Sequence, residues 1–424
     1  MIGELTGIDV STPAVVLKFD PNVMHHGGLG AIRSLGRLGV PVYGVHEARW
    51  APAARSSYLA GRFVWQPDPD HAERTTAGLA RLAERIGRRA VLIPTDDAAA
   101  IFLNEHGGPL REAFAFPAAP AGLPRQLAGK HTLAELCAGL GVATPRVLLP
   151  QSAAQARAFG AEAGYPLVAK IATPWTAAGT GLRPTTVIGS EPDLDGAWAA
   201  AGHAGQPLML QEFIPAASGG DWFVHAYCDS AATPRPLFTG VKVRSYPAHA
   251  GLTSFGRAEP NNRLRDEMSG LLGRLGYRGI ADLDLRLDPR DGGYKLLDFN
   301  PRLGAQFRLF RDWAGLDVVI AAYLDLTGQP YTARGQESGR RFVVENYDPL
   351  GAVGYWRAGE LGAVSWLRSL RGTEETAWFA WDDLLPFGLM CAHMAARAAG
   401  RPFARTRRPA GAGHQTEPAV RLAR

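Results

Sequence analysis

The sequence has few cysteines and no long apolar run, and both absences narrow the class of protein. Only three of the 424 residues are cysteines, and Cys137, Cys228 and Cys391 lie too far apart for a disulfide framework or a metal-ligand spacing. No apolar run reaches the roughly 18 to 20 residues that a membrane span needs. The first residues lack the basic segment and apolar core of a signal peptide. We therefore expect a cytoplasmic protein with no membrane partner.

The chain also lacks a strong overall charge. Its net charge is +5, and residues 401–424 carry six arginines against one acid, so this tail supplies the whole excess. Because the tail is rich in glycine, proline and alanine, we predict that it is disordered. The rest of the chain is near neutral, which argues against nucleic acid as a partner.

The first 120 residues have the pattern of a parallel α/β domain. Residues 14–19 and 41–45 read as strands, and helical spacing between them predicts a βαβ unit of Rossmann type. The glycines of the connecting stretch 25–30 do not match G-x-G-x-x-G, so we assign them to a tight turn rather than to a cofactor. A later strand ends at Asp96 and Asp97, which either approach a substrate or cap the next helix. We favour the cap.

Residues 280–302 form the most informative stretch of the chain. Apolar residues alternate with Asp282, Asp284, Arg286 and Asp288, which is the period-two pattern of a half-buried strand. Turn-forming residues follow, and then a second strand that ends in Asn-Pro-Arg. The pattern predicts a β-hairpin with several acids on one face.

The predicted register of this hairpin brings carboxylates together. It places Asp284 opposite Asp298 and Asp282 opposite Asn300, and opposed like charges destabilise a sheet unless a cation, proton or water separates them. Oxygen ligands of this kind suit Mg²⁺ or Mn²⁺ rather than zinc. Arg302 follows directly, where it can meet an anion. The alternative is a solvated face with scattered charges.

The hairpin ending L-L-D-F-N-P-R resembles the metal-binding signature of the ATP-grasp superfamily, which usually has glutamate in place of this aspartate. Within that superfamily, the chain most resembles predicted carboxylate–amine ligases, over roughly residues 14–390. The resemblance implies an α/β fold, with a Rossmann-like N-terminal domain, a two-subdomain ATP-grasp domain and a small C-terminal region. We place these regions at residues 1–120, 121–330 and 331–400, with a hinge near 211–215.

The resemblance also implies the residues that bind ATP. Lys130 and Lys170 are expected to contact phosphate, and Asp221 to hold the ribose. The hinge residues expected to contact adenine are Gln211, Glu212, Phe213 and Ile214. Lys170 has support of its own, because a lysine within an apolar strand is costly unless an anion is near. The loop 173–181 is expected to cover the phosphates, although it has fewer glycines than is common in the superfamily.

The remaining implied residues concern the metal and the reaction. Asp284, Asp298 and Asn300 are the expected ligands of Mg²⁺ or Mn²⁺. Lys242 and Arg244 lie on one strand face, where two neighbouring cations indicate either an anionic ligand or salt bridges at the surface.

The resemblance therefore implies an ATP-dependent ligase that joins a carboxylate to an amine through an acylphosphate. Arg302 would stabilise the tetrahedral oxyanion, and no protein nucleophile is required. The alternatives are an ATP-grasp enzyme with a non-amine acceptor and a non-catalytic ATP-binding protein. Related ligases suggest a homodimer. We expect residues 303–326 to form a helix behind the site, and the aromatic region after residue 340 to be a small packed core rather than the cover of a substrate pocket.

Overall fold

The computed structural model describes residues 7–171, 185–215, 219–249, 251–400 and 422–423. The chain divides into two compact units and passes between them within the predicted hairpin. Unit 1 comprises Met1–Arg125, Trp222–Leu283 and Asn300–Arg424, and unit 2 comprises Gln126–Asp221 and Asp284–Phe299. The loop 173–181 and nearly all of the basic tail lie outside the described residues, so their predicted properties stay predictions. The division at residues 120, 330 and 400 also stays a prediction.

Unit 1 begins with alternating strands and helices. They are β1 (Ala14–Leu17), α1 (His26–Gly36), β2 (Val42–His46), β3 (Leu59–Val64), α2 (Ala72–Ile86), β4 (Ala90–Pro94), α3 (Asp97–His106) and β5 (Phe114–Ala115). Unit 2 then starts with α4 (Leu123–Ala128), α5 (Lys130–Gly139), β6 (Val147–Leu148), α6 (Ala153–Ala163), β7 (Leu167–Ile171), β8 (Thr185–Ile188), α7 (Glu191–His203) and β9 (Leu208–Glu212), although α4 straddles the boundary between the two units.

The second half of the chain returns to unit 1. Its elements are β10 (Asp221–Cys228), β11 (Pro234–Tyr246), β12 (Leu252–Ala258), α8 (Asn262–Arg274), β13 (Gly279–Leu287), β14 (Tyr294–Asn300), α9 (Val318–Leu326), β15 (Arg341–Val343), α10 (Asp348–Arg357), α11 (Ala363–Ser369), β16 (Glu375–Thr376), α12 (Leu385–Ala398) and β17 (Leu422–Ala423). Strands β13 and β14 are the hairpin, and both of them cross the unit boundary.

A sheet with the strand order β17-β3-β2-β1-β4-β5, parallel except for the antiparallel β17, forms the N-terminal part of unit 1. Strand β1 pairs in parallel with β2 and β4, which confirms the predicted βαβ start. Ala14 and Val16 pack in one apolar cluster with residues of α1 and α9, whereas Val15 and Leu17 pack in another with residues of α2 and α3. Apolar side chains on both faces explain why β1 has an uninterrupted apolar sequence.

The second sheet of unit 1 is mostly antiparallel. Its strand order is β14-β13-β10-β11-β12-β15-β16, and the edge strand β14 and its neighbour β13 continue into unit 2. In β13 the apolar residues Ala281, Leu283 and Leu285 are buried, as the alternation predicted. The intervening Asp282 is also buried, with only 3% of its surface exposed. Burial of this acid was not expected, and its contacts are described below.

Unit 2 has an antiparallel sheet with the order β6-β9-β7-β8 and two helices packed on it. The helix residues Ala156 and Leu194 join Leu167, Ala169 and Leu210 of the strands in one apolar core. Ser152 and Ser190 accept hydrogen bonds from main-chain N–H groups at the starts of α6 and α7. Such caps stabilise a helix start by about 1 kcal/mol.

The glycines of residues 25–30 do not form the turn that we predicted. Helix α1 already begins at His26, so Gly27, Gly28 and Gly30 lie inside it. A Cβ at Gly30 would stand 2.8 Å from the ring of Phe307, and one at Gly27 would stand 3.0 Å from the Cα of Ala305. These glycines therefore allow the chain near residue 305 to approach the helix closely.

Two further features bear on the class of protein. In the part of the chain that the structure describes, no helix is both long and apolar enough to cross a membrane. Cys137 and Cys228 are buried free thiols, and Cys391 is an exposed one.

Candidate functional site

A lysine on β7 and a glutamine on β9 form the first polar contact of unit 2. The two strands pair so that Val168 faces Gln211 and Lys170 faces Met209, which makes Lys170 and Gln211 diagonal neighbours on one face. Lys170 Nζ donates a hydrogen bond of 2.7 Å to Gln211 Oε1. The amide oxygen accepts the bond but carries no full charge, so it does not neutralise the ammonium group.

A second lysine and an acid complete this cluster. Lys130, the first residue of α5, places its Nζ 2.9 Å from Asp298 Oδ2 of β14. Both side chains are about one third exposed, at 29% for Lys130 and 34% for Asp298. Burial and, to a smaller extent, the charge of Lys130 lower the pKa of Lys170 to about 8, and the charge of Asp298 opposes the shift. Two lysines thus share one carboxylate, and the cluster can accept an anion.

The hinge segment is held by arginines that the sequence analysis did not single out. Glu212 lies 2.8 Å from Arg290 Nη2 and accepts a hydrogen bond of 3.1 Å from the main-chain N–H of Arg146. Arg286 donates to the main-chain oxygen of Ile214, at 3.0 Å. Ile214 is buried and Phe213 is half-buried. The side chains of β13 and of the turn after it therefore fix the backbone at residues 212–214.

Asp221 has a protein partner as well. Both of its oxygens accept hydrogen bonds from Arg286, at 2.6 and 3.1 Å, in a bidentate pair. Such a pair fixes the carboxylate in direction. Its expected contact with a ribose stays a prediction, and a ribose hydroxyl would have to bind beside Arg286 or replace it.

In unit 1 the residues of the Asn-Pro-Arg ending surround a buried acid. Arg302 Nη1 lies 3.0 Å from Asp282 Oδ2, and its Nε lies 3.3 Å from Asp97 Oδ1. The Asn300 amide nitrogen lies 3.2 Å from the main-chain oxygen of Asp282 and 3.4 Å from its Oδ2. These contacts agree with the predicted placement of Asp282 beside Asn300.

The two acids that follow β4 have different roles. Asp96 accepts a hydrogen bond of 2.8 Å from Ala99 N–H and others from the N–H groups of Phe19 and Asp20, so it caps α3 as we favoured. Asp97, by contrast, belongs to the cluster around Arg302. Nothing in the sequence indicated this contact, because the two residues are 205 positions apart.

Arg244 forms a salt bridge, but a buried one and not the surface pair that the alternative described. Its guanidinium is buried and donates to both oxygens of Asp348, at 2.8 and 2.9 Å, and to Ser369 Oγ at 2.9 Å. It also lies over the ring of Phe255, 4.3 Å from the centroid. The charge of Arg244 is therefore compensated within the protein. Lys242 on the same strand is half-buried.

The expected metal ligands lie on the hairpin strands, with Asp284 and Asp298 in unit 2 and Asn300 in unit 1. Asp284 is half-buried on β13. Over the described ranges, no three His, Cys, Asp or Glu side chains gather into a metal-binding group. The expected set has only two residues of those types, because its third ligand is an amide.

The aromatic region after residue 340 belongs partly to the core. Trp378 is fully buried and donates to Asn346 Oδ1 at 2.8 Å, whereas Trp356 and Trp381 are 64% and 84% exposed. The acids after Trp381 tie this region to the N-terminal elements of the same unit. Asp383 lies 3.0 Å from Arg33 Nε of α1, in a pair that is almost fully buried.

The similarity of this chain to known proteins is greater in fold than in sequence. No family model matches the chain. A D-aspartate ligase from Enterococcus faecium (strain Aus0004) is 23% identical over 228 residues, which are 51% of this chain and 54% of that ligase. The match thus spans about half the length of this relative.

Solved structures of similar fold cover more of the chain. The biotin carboxylase domain of the Hydrogenobacter thermophilus 2-oxoglutarate carboxylase, in complex with MgADP, ADP and bicarbonate, is 16% identical with a TM-score of 0.55, over 77% of this chain and 73% of that one. The N5-carboxyaminoimidazole synthetase of Staphylococcus aureus is 11% identical with a TM-score of 0.56, over 78% and 81% of the two chains. The chain has a mixed α/β fold, as predicted, and these neighbours of similar fold are of ATP-grasp type.

Proposed function

We propose that this protein is an ATP-dependent ligase that joins a carboxylate to an amine through an acylphosphate. The observation that carries the proposal is the cluster of Lys130, Lys170, Gln211 and Asp298 in unit 2. A half-buried lysine with a lowered pKa, repelled by a second lysine, is stabilised when a polyphosphate binds beside it. The D-aspartate ligase and the carboxylases of similar fold support the reaction class.

The ion pair between Lys130 and Asp298 fits this function. In the free protein each side chain compensates the other, at a separation of 2.9 Å. A nucleotide with its cation supplies one anion and one cation, so Lys130 can turn to phosphate while Asp298 turns to the metal. Asp284, Asp298 and Asn300 offer the oxygen donors that Mg²⁺ or Mn²⁺ prefers. When bound, the ion would reduce the charge repulsion between phosphate groups.

The other proposed roles follow the resemblance. The hinge residues Gln211, Glu212, Phe213 and Ile214 would contact the adenine, and Asp221 the ribose. Lys242 would bind phosphate, and Arg302 would stabilise the oxyanion formed when the amine attacks. Because Arg244 is neutralised by Asp348, we assign it to stability and not to the reaction.

The test is release of ADP with MgATP and pairs of candidate carboxylates and amines, with mass spectrometry of the products. The name of the D-aspartate ligase places D-aspartate first in the panel. ADP together with a condensed product would establish the ligase. ADP without a condensed product would favour a non-amine acceptor, and nucleotide binding without ADP release from any pair would favour a non-catalytic protein.

The substitution Asp298→Asn tests the proposed role of one metal ligand. It should abolish turnover, because the variant removes one charge from the expected metal site while keeping the shape of the side chain. Asp291→Asn is the matched control, since Asp291 lies in the exposed turn of the same hairpin and pairs with Lys295. Full activity of Asp298→Asn, measured by ADP release, would contradict the assignment.

A further inference from the structure

The hairpin carries two neighbouring acids, Asp282 and Asp284, and only the second was expected to bind the metal. We propose that Asp282 is a positioning residue, which holds the Arg302 guanidinium and the Asn300 amide in their working orientations and does not itself bind the metal. The inference rests on the proposed function of those two residues. It gives the D-x-D pair two separate roles.

The Asp282 carboxylate lies in a buried environment where protein groups face both of its oxygens. Only 3% of Asp282 is exposed, and Oδ2 faces both Arg302 Nη1, at 3.0 Å, and Asn300 Nδ2, at 3.4 Å. Oδ1 lies 3.2 Å from Nε2 of the fully buried His225. Burial and, to a smaller extent, the charge of Arg302 lower the pKa of His225 to about 3, so this ring is neutral. Arg302 thus compensates the charge of Asp282, and a hydrated metal ion has little access to this buried carboxylate.

Asp282 also fixes the orientation of the Asn300 amide. Its nitrogen donates to the main-chain oxygen of Asp282 at 3.2 Å and to Oδ2 at 3.4 Å. Both acceptors can only accept, so they fix which end of the amide faces Asp282. The amide oxygen must then be presented on the opposite side, which is the orientation a metal ligand requires. With its charge and its position, Asp282 selects one of two amide rotamers.

The guanidinium of Arg302 is held by two acids. Its Nε lies 3.3 Å from Asp97, while its Nη1 contacts Asp282 at 3.0 Å and the main-chain oxygen of Leu303 at 3.2 Å. The two acids come from separate elements of unit 1 and meet different edges of the planar guanidinium. Contacts at two edges fix the plane of the group, and not merely its position. A fixed donor is what stabilisation of a developing oxyanion needs.

The chain after Arg302 holds Asp282 in place. A Cβ on Gly304 would stand 2.6 Å from Asp282 Cγ and 2.2 Å from His225 Cε1, so the backbone passes directly over both side chains. The buried carboxylate has almost no room to move toward another partner. This closeness explains why a glycine follows the Asn-Pro-Arg-Leu sequence.

The test compares Asp282→Asn, Arg302→Lys and the double variant in the ADP-release assay. We expect Asp282→Asn to lower kcat at least tenfold and to leave the KM for ATP within about twofold. The double variant should lose clearly less than the two single losses combined, because Asp282 acts in large part through Arg302 and otherwise only through the Asn300 amide. Additive losses, or an unchanged kcat in folded Asp282→Asn, would overturn the proposal.

The control for loss of a buried acid is Asp317→Asn. Asp317 is 6% exposed in the same unit, where it caps α9 and accepts a hydrogen bond from Ser34 Oγ. It should change stability but not kcat per folded molecule. If Asp282→Asn does not fold, Asp97→Asn removes the other, more exposed acid; it should lower kcat about threefold, and an unchanged kcat would count against the fixed guanidinium.

A second readout separates this inference from the proposed ligase activity. Phenylglyoxal labelling of Arg302, followed by peptide mass spectrometry, needs no turnover. Release of the guanidinium in Asp282→Asn should raise the labelling rate at least threefold, and Asp317→Asn should leave it unchanged. A protein that turns over no substrate would defeat the proposed function, while the labelling rate would still decide whether Asp282 holds Arg302.

Discussion

Lys170 in unit 2 and Arg244 in unit 1 are both cations on β-strands with apolar neighbours, and both were expected to bind an anion. Arg244 meets the two oxygens of Asp348, whereas Lys170, within the described ranges, donates its hydrogen bond to the amide oxygen of Gln211 and has the carboxylate of Asp298 only as a neighbour that it shares with Lys130. The difference is one of charge, because a carboxylate neutralises its partner and an amide does not. A buried cation therefore indicates an anion site only when the protein leaves its charge uncompensated.

The largest effect that we predict breaks the compensated pair. Asp348→Asn should lower the free energy of unfolding by about 3–5 kcal/mol, because it leaves the buried Arg244 charge without a counter-charge. Ser254 and Trp366 also donate to Asp348, so its loss disturbs a network rather than one bond. Urea unfolding followed by tryptophan fluorescence measures the change.

Asp291→Asn is again the control, because its pair with Lys295 lies at an exposed turn, where ion pairs contribute little. Nucleotide affinity per folded molecule should survive in Asp348→Asn. A loss of stability below about 1 kcal/mol would mean that the buried pair is not the structural element that we describe.

Replacing the uncompensated lysine should have the opposite pattern. Lys170→Met removes the cost of burying an ammonium group, so stability should stay level or rise. Nucleotide affinity should fall at least about tenfold, which corresponds to roughly 1.4 kcal/mol, since a phosphate would lose one cationic partner. Isothermal titration with MgATP and urea unfolding of the same preparation measure both quantities.

Lys295→Met is the matched control for this substitution. Lys295 is also a lysine of unit 2 with most of its side chain covered, but it has Asp291 as a carboxylate partner. Its removal should leave the affinity for MgATP within about twofold. If both variants bind MgATP as the unchanged protein does, the lysine cluster is not a nucleotide site.

The same contrast explains what could be predicted from the sequence. The apolar neighbours of Lys170 can be predicted from its own strand. Asp282 and Asn300 are only 18 residues apart, so their contact follows from the pairing of the two hairpin strands. The partner of Arg244 is 104 residues away, so only the tertiary fold reveals that its charge is compensated.

The stretch after the hairpin shows the same limit. We predicted one helix over residues 303–326, but the helix is only Val318–Leu326 and is capped by Asp317. Before it, the chain makes a short 3-10 turn at Phe307–Leu309 and packs against α1 and over Asp282. The spacing of apolar residues does not predict that close packing. The glycines at positions 27, 30 and 304 are the feature of the sequence that indicates it.

The smallest effect that we predict is a pH dependence set by Lys170. In the folded protein its pKa is lowered to about 8 from 10.5. The unfolded chain therefore binds more protons between these values, and stability should rise as the pH increases through that window. Nucleotide binding favours the protonated lysine, so affinity should fall as the pH rises above about 8, by at most about tenfold per pH unit.

Lys170→Arg separates this titration from other effects of pH. A guanidinium stays charged throughout this range, so the affinity of Lys170→Arg for MgATP should be nearly flat from pH 7 to 10. Titration calorimetry at several pH values measures both proteins. A flat profile for the unchanged protein would mean that Lys170 does not contact the phosphates of MgATP. The lysine cluster of unit 2 would then bind some other anion.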